Sequence, residues 1–186
     1  MGRPAAAHGL TLLELLIGMS IGAILLAVGL PTYRGWIDDL EMRDEVARLT
    51  NAMALARAEA LKTGRRVNLC PSSDGARCAE DGRWEQGWIV FSDDDGDGDR
   101  ADEEAVIRVE PSSRRGFSVR GNRPLQDYVS YTALGATRMV NGALQMGTFT
   151  VCRSGRNAVE AVLANGGRVR VARTGTRCPS TSRYLR

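Results

Sequence analysis

The sequence predicts an α+β protein in which one long N-terminal helix packs on a β-rich head of antiparallel sheets. Apolar residues fill positions 10–30 almost without interruption, and they recur at helical spacing from there to about position 60. After residue 64 the chain changes to short runs rich in β-branched residues, separated by clusters of Gly, Pro, Ser and Asp. The apolar stripe of the helix must be buried, and the β-rich region is the surface that this chain offers it.

The predicted helix has two parts. Residues 10–30 contain a single charge, Glu14, and a helix of this length rises about 30 Å, so we expect a transmembrane helix here. Residues 31–63 continue as an amphipathic helix, and the sequence Lys-Thr-Gly at 62–64 is a typical helix stop. The apolar stripe of this second part consists of Ile37, Leu40, Val46, Leu49, Met53, Ala56 and Ala60.

Eight β-like runs follow the helix, and their pattern predicts antiparallel sheets. They cover residues 65–70, 87–91, 105–110, 116–120, 128–134, 147–152, 157–164 and 167–172.

Charge is divided unequally along the chain. Residues 1–110 contain 12 Lys and Arg against 20 Asp and Glu, whereas residues 111–186 contain 13 Arg against Asp127 and Glu160. The net charges of the two segments are therefore −8 and +11, which sum to the formal net charge of +3. This division predicts a basic C-terminal surface that suits an acidic partner.

The segment that precedes the apolar run carries a family resemblance. The sequence GLTLLE at 9–14 resembles the class III leader of type IV pilins and type II secretion pseudopilins. The resemblance implies that prepilin peptidase cuts after Gly9, that residues 1–9 are a leader peptide and that Leu10 becomes the N-methylated terminus. It also implies that Glu14 promotes assembly into a filament and that Pro31 kinks the helix. A plain signal anchor is the alternative, and it leaves an acid within the apolar run unexplained.

The head extends the resemblance over nearly the whole chain, so residues 64–186 are expected to form a globular pilin head. Motifs at residues 56–60, 67–70, 87–91, 147–152 and 167–170 resemble, in this order, those of the GspH/FimT branch of minor pseudopilins. That branch includes pseudopilin H of type II secretion and the FimT-type minor pilins of type IV pili.

Four cysteines form an even set suited to two disulfides in an oxidising compartment. Cys70 and Cys78 bracket a short, turn-rich loop, while Cys152 and Cys178 would tie the C-terminal tail to an earlier strand. We expect these two pairs, although four cysteines allow three connectivities. A zinc site formed by all four is the alternative, but their spacing is unlike that of zinc ribbons.

An acidic segment at 93–104 matches the calcium-loop pattern D-x-D-x-D-G-x5-E. Arg100 stands where an EF-hand has an apolar residue, and the flanking runs predict strands instead of helices. A solvated acidic hairpin loop is therefore the alternative to weak calcium binding. The predicted calcium ligands are Asp93, Asp95, Asp97 and Glu104.

The basic tail contains a candidate DNA-binding surface. Arg168 and Arg170 should point to one face of a strand while Val169 and Val171 point to the core. Residues 167–170, GRVR, are similar to the G-R-x-R element with which FimT-type pilins contact DNA. A solvated basic face, or one that contacts an acidic neighbouring subunit, is the alternative. The predicted DNA-binding residues are Arg168, Arg170, Arg173 and Arg177.

Enzyme activity is not expected. Removal of the leader would remove His8, the only histidine, which excludes Ser-His-Asp and Cys-His catalysis and the usual histidine metal sites. The chain also has no phosphate loop and no dinucleotide fingerprint.

These observations predict a minor pilin or pseudopilin of a type IV pilus or a type II secretion pseudopilus. Before assembly it would be held in the bacterial inner membrane by a single pass, with its head in the periplasm. Its expected partners are other pilins, prepilin peptidase, the membrane and DNA, with no small-molecule substrate. A GspH-like structural subunit that binds no DNA is the alternative.

Overall fold

The computed structural model describes residues 11–179, which contain one α-helix and eight strands. The chain consists of two compact units, one ending at Glu41 and one beginning at Met42. The helix is α1 (Leu12–Thr63), and the strands are β1 (Arg66–Pro71), β2 (Trp88–Asp93), β3 (Val106–Glu110), β4 (Phe117–Gly121), β5 (Val129–Tyr131), β6 (Gly147–Arg153), β7 (Asn157–Leu163) and β8 (Val169–Arg177).

The first unit is helical over its described residues. Across residues 11–179, no helix combines the length and the apolar character that crossing a membrane requires. The predicted transmembrane helix over 10–30 is therefore not confirmed, and Leu10 lies outside the described residues. Pro31 lies within α1, and the predicted kink there stays a prediction.

The second unit contains two four-stranded antiparallel sheets. Their strand orders are β3-β2-β1-β5 and β4-β6-β7-β8. All eight predicted β-like runs contain a strand, although β5 is shorter than its run and β8 extends to Arg177. The sheet β4-β6-β7-β8 therefore ends in a nine-residue edge strand.

The main core lies between the helix and residues from both sheets. Val46, Leu49, Met53, Ala56 and Ala60 of the predicted stripe are buried, and Met42 and Ala52 join them. Leu40, in the first unit, is exposed, which corrects the start of the stripe to Met42. The sheets contribute Val67, Leu69, Val90, Val129 and Tyr131 from one side and Val119, Phe149, Val151, Ala161 and Leu163 from the other.

Polar contacts also join the helix to the end of β3. The Arg48 guanidinium donates from Nη1 to Glu45 Oε2 (3.1 Å) and from Nε to Glu110 Oε2 (3.3 Å). Both carboxylates are buried, so pairing with Arg48 offsets the cost of removing them from water. The helix ends at Thr63, as predicted, and Gly64 adopts a φ of +66° that favours glycine.

Candidate functional site

The start of α1 is stabilised by Thr11 and Glu14. The Glu14 carboxylate accepts hydrogen bonds from the backbone N–H and the hydroxyl of Thr11, both at 3.1 Å. In return, the Glu14 N–H donates to Thr11 Oγ1 at 3.3 Å. This is a capping box, in which each side chain binds an N–H that the helix leaves unpaired. Glu14 therefore has a local structural role, whereas Gly9 and Leu10 lie outside the described residues.

The first unit presents a large apolar surface. Leu13, Leu16 and Leu25 are each exposed over more than half of their surface. A surface of this size indicates a site that another protein or a lipid phase covers. The other exposed large apolar residues between positions 12 and 30 are Leu12, Leu15, Ile17, Met19, Ile21, Ile24, Leu26 and Leu30.

Both predicted disulfides are present. Cys70 bonds Cys78 with a Cα–Cα distance of 5.4 Å, and Cys152 bonds Cys178 with a Cα–Cα distance of 5.5 Å. No cysteine among the described residues is free, so the alternative of a four-cysteine zinc site is wrong. The second disulfide joins β6 to the residue that follows β8, so it fixes the end of the basic strand.

The four predicted DNA-binding arginines lie on or beside the edge strand β8. Arg168 precedes this strand, and Arg170, Arg173 and Arg177 lie within it; all four are exposed. Within residues 11–179 none of the four forms an ion pair. Their charge is therefore available to an anionic partner.

The register of β8 divides these arginines between two faces. Arg170 pairs with Val162 of β7, whereas Arg173 pairs with Val159, which packs on the core. Because side chains alternate along a strand, Arg168 and Arg170 share one face and Arg173 lies on the opposite face. Val171, predicted to be in the core, is half-exposed, because β8 is an edge strand.

A glycine sets the position of Arg168. Gly167 has a φ of +77°, and a Cβ on it would lie 2.1 Å from the carbonyl oxygen of Gly135. Its own carbonyl accepts a hydrogen bond from the buried Tyr131 hydroxyl at 3.4 Å. Only glycine fits this close approach without strain. The glycine of the GRVR element thus places Arg168 at the start of the edge strand.

The acidic segment forms the connection between β2 and β3. Carboxylate oxygens of Asp93, Asp95 and Asp97 all lie within 4.8 Å of one another. Glu104, the fourth predicted ligand, does not belong to this group. Its buried carboxylate accepts hydrogen bonds from the N–H groups of Asp94 (2.7 Å) and Ala101 (3.0 Å). Strands, and not the helices of an EF-hand, flank this loop. The Glu104 carboxylate therefore binds backbone N–H groups instead of joining the three aspartates.

Asp93 is buried beside residues of β1. Its Oδ2 accepts a hydrogen bond from Asn68 Nδ2 at 2.6 Å, and the Arg66 Nε lies 3.9 Å from it. Burial raises the pKa of Asp93, while hydrogen bonds from the Gly96 N–H and from Asn68 act in the opposite direction. An open pocket beside this carboxylate is lined by Arg65, Arg66 and residues 93–96.

Two features of these sites were not predicted from the sequence. The spacing of Thr11 and Glu14 is a capping-box signal that could have been read directly. The contact between Asn68 and Asp93 had no such signal, because it depends on the register that places Arg66 opposite Asp93.

Comparisons with known proteins identify similar families and folds. The family model described as type II transport protein GspH matches residues 45–175, and that described as the prokaryotic N-terminal methylation motif matches residues 5–30. No curated protein sequence matches the chain.

Solved structures are similar at low sequence identity. Two crystal structures of the type IV minor pilin FimU from Pseudomonas aeruginosa have TM-scores of 0.57 and 0.51, with 18% and 17% identity. These matches cover 74% and 70% of this chain and 92% and 91% of FimU. The minor pseudopilin EpsH from the type 2 secretion system of Vibrio cholerae has a TM-score of 0.48 and 11% identity, covering 73% of this chain and 99% of EpsH.

Proposed function

The chain belongs to the GspH family of type II transport proteins, and on this premise we propose that it is a minor filament subunit with a DNA-binding head. Family membership and the N-terminal methylation motif make it a minor pilin or pseudopilin that assembles with other pilins. The role is structural and not catalytic, as in the rest of the family. The machine is a type IV pilus or a type II secretion system.

The observation that supports assembly is the exposed apolar surface of the first unit. Apolar surface gains about 25 cal/mol per Å² when it leaves water, so these leucine and isoleucine side chains favour a lipid phase or the helices of similar subunits over water. Packing of this surface among the helices of neighbouring subunits would bury it. The capping box at Thr11 and Glu14 keeps the first turn helical for that packing.

The methylation motif supports a proposal about processing and location. We propose that prepilin peptidase cuts after Gly9 and that Leu10 becomes the methylated terminus. The chain would then be stored in the inner membrane with its head in the periplasm, ready for extraction into a filament. The motif match over residues 5–30, which includes these positions, supports this order of events.

An assembly experiment tests the structural role. Leu16→Asn together with Leu25→Asn places amides on the exposed apolar surface, and we expect the variant to be missing from sheared filaments. The matched control is Leu134→Asn, because Leu134 is also strongly exposed but lies in the second unit. Normal incorporation of the first variant would contradict the proposal.

DNA binding is the second part of the proposal. It is supported by the four arginines on or beside β8, which form no ion pair within residues 11–179. Guanidinium groups bind phosphate oxygens without regard to sequence, and release of counterions drives that binding. Because β8 is an edge strand, a ligand that lies along the edge of the sheet can contact side chains on both faces. A DNA backbone that lies along this border would reach Arg168 and Arg170 from one side and Arg173 from the other.

A further inference from the structure

We propose that the connection between β2 and β3 binds one calcium ion through Asp93, Asp95 and Asp97. Their three carboxylate oxygens lie within 4.8 Å of one another. Calcium takes oxygen ligands at about 2.3–2.6 Å, so two oxygens that share one ion are separated by no more than about 5 Å. These separations are compatible with one ion shared by the three side chains.

A buried, unpartnered oxygen next to this group supports the assignment. Asn68 is fully buried, and its amide faces Asp93 through the hydrogen bond from Nδ2 to Oδ2. Among the described residues, the Oδ1 atom of the same amide has no hydrogen-bond partner. A buried acceptor without a donor costs free energy, and a cation bound within reach of this oxygen would supply the missing interaction. Amide oxygens are also among the usual ligands of calcium.

The negative charge of the three aspartates is only partly neutralised by neighbouring side chains. Arg66 lies 3.9 Å from Asp93, but its Nη1 donates to Ser130 Oγ at 2.6 Å. Among the described residues, the carboxylates of Asp95 and Asp97 pair with no cation and accept hydrogen bonds only from backbone N–H groups. Two negative charges in the group are thus left without a counter-charge.

Glu104 acts in this site as a positioning residue. Its carboxylate joins the N–H groups of Asp94 and Ala101, which closes the loop around the three aspartates. The far side of the loop packs on the head, where a Cβ on Gly98 would lie 2.7 Å from Val140 Cγ1 and 3.8 Å from the ring of Tyr128. The loop is therefore held closed from two sides before any ion binds.

The site should prefer calcium to magnesium. Magnesium requires near-ideal octahedral geometry at about 2.0–2.1 Å and gives up its water slowly, whereas calcium accepts irregular sets of oxygens. A site with three protein carboxylates and a partly solvated loop is expected to bind calcium with a Kd of about 10⁻⁴–10⁻³ M, as extracellular calcium modules do.

Terbium luminescence of the full chain in detergent tests the proposal. Terbium replaces calcium, and the Tyr128 ring near the loop can sensitise its emission. We expect a saturable signal that calcium chloride displaces with a Kd of about 10⁻⁴–10⁻³ M and that magnesium chloride displaces at least tenfold less well. Asp95→Asn together with Asp97→Asn should weaken binding at least tenfold, and since both residues are exposed the fold should be retained.

Glu103→Gln is the matched control, because Glu103 is an exposed acid of the same loop outside the group of three. We expect it to change the Kd by less than about twofold. An unsaturable signal, or an equal loss in the control and in the aspartate variant, would overturn the proposal, because either result would mean diffuse attraction to an acidic surface. Equal displacement by magnesium and calcium would also overturn it.

Discussion

Thr11 and Glu14 hold each other across the first turn of α1: Glu14 binds the Thr11 N–H at 3.1 Å, and Thr11 Oγ1 binds the Glu14 N–H at 3.3 Å. The acid that the family resemblance assigns to assembly is therefore also a helix cap. A cap of this kind contributes about 0.5–2 kcal/mol to the helix that it begins. A substitution at Glu14 can therefore change the capping hydrogen bond, the negative charge, or both. Two different variants of Glu14 separate these effects.

Glu14→Gln should keep the cap and lose the charge, whereas Glu14→Ala should lose both. A glutamine side chain also accepts a hydrogen bond from the cap N–H, so the helix start is retained. We predict that both variants are cleaved after Gly9 and that both assemble poorly, because the charge is what the filament requires. Immunoblots of membranes and sheared filaments measure cleavage and assembly.

Normal assembly of Glu14→Gln beside failure of Glu14→Ala would contradict this view. That result would assign the role of Glu14 to capping alone.

The two disulfides should differ in their contribution to stability. Their loops have sequence separations of 8 and 26 residues. In the chain-entropy treatment the short loop contributes about 2.5 kcal/mol and the long loop about 3.5 kcal/mol to the free energy of unfolding. We predict that Cys152→Ser with Cys178→Ser lowers the melting temperature more than Cys70→Ser with Cys78→Ser does. A larger loss from the short loop would contradict the prediction.

Asp74 should make the loop between Cys70 and Cys78 sensitive to acid. Hydrogen bonds from the N–H groups of Ala76 and Arg77, followed by that of the Ser72 hydroxyl, lower the pKa of Asp74 from 3.8 to about 2. Because the folded value lies below the unfolded one, the ionised carboxylate favours the folded state. Its contribution is present above about pH 4 and is lost as the pH falls towards 2.

We therefore predict that Asp74→Asn makes the melting temperature less dependent on pH between 4 and 2. Thermal melts of both proteins at pH 2, 3, 4 and 6 measure this. Identical acid dependence in the two proteins would show that Asp74 contributes nothing to it.

DNA binding by β8 should be strongly salt-dependent. If the four arginines neutralise four phosphates, log K should fall against log salt with a slope of about −3.6 on duplex DNA. Arg168→Gln with Arg170→Gln removes the two arginine charges on one face, and the slope should change to about −1.8. Fluorescence anisotropy of a labelled duplex, with the full chain in detergent, measures both slopes.

The matched control for this experiment is Arg115→Gln with Arg123→Gln. These arginines are also exposed and flank β4, at the opposite edge of the same sheet from β8. We expect the slope to stay near −3.6. If the control flattened the slope as much as the β8 variant, binding would be a property of net charge. If neither variant changed binding, β8 would not be the DNA-binding surface. If the parent protein bound no DNA, the alternative of a structural subunit without DNA binding would be favoured.

Local patterns predicted most of the fold. Short runs rich in β-branched residues, separated by turn residues, predicted all eight strands, and the helix stop at residues 62–64 was confirmed by the end of α1 at Thr63. The division into two sheets was not predicted, because strand pairing depends on contacts between residues far apart in the sequence. The pairing of β1 with β5, for example, joins Leu69 to Val129.

The candidate sites were predicted by residue type but not by geometry. Glu104 fits the calcium pattern by spacing, yet the pattern assumes flanking helices, and between β2 and β3 its carboxylate meets backbone N–H groups instead. Arg173 was predicted to bind DNA together with Arg168 and Arg170, but it lies three positions after Arg170 in β8, so alternation along the strand places it on the opposite face. In both cases the secondary structure around the residue, strands in place of helices for Glu104 and a longer strand for Arg173, determined where the side chain lies.

Mass spectrometry of the chain in sheared filaments tests the central claim most directly. The account predicts an assembled subunit that begins at Leu10, carries an N-terminal methyl group and retains Glu14, while Gly9→Val leaves only the full-length chain in the membrane fraction. A filament subunit that begins at another residue, or a chain that never leaves the membrane fraction, would contradict it.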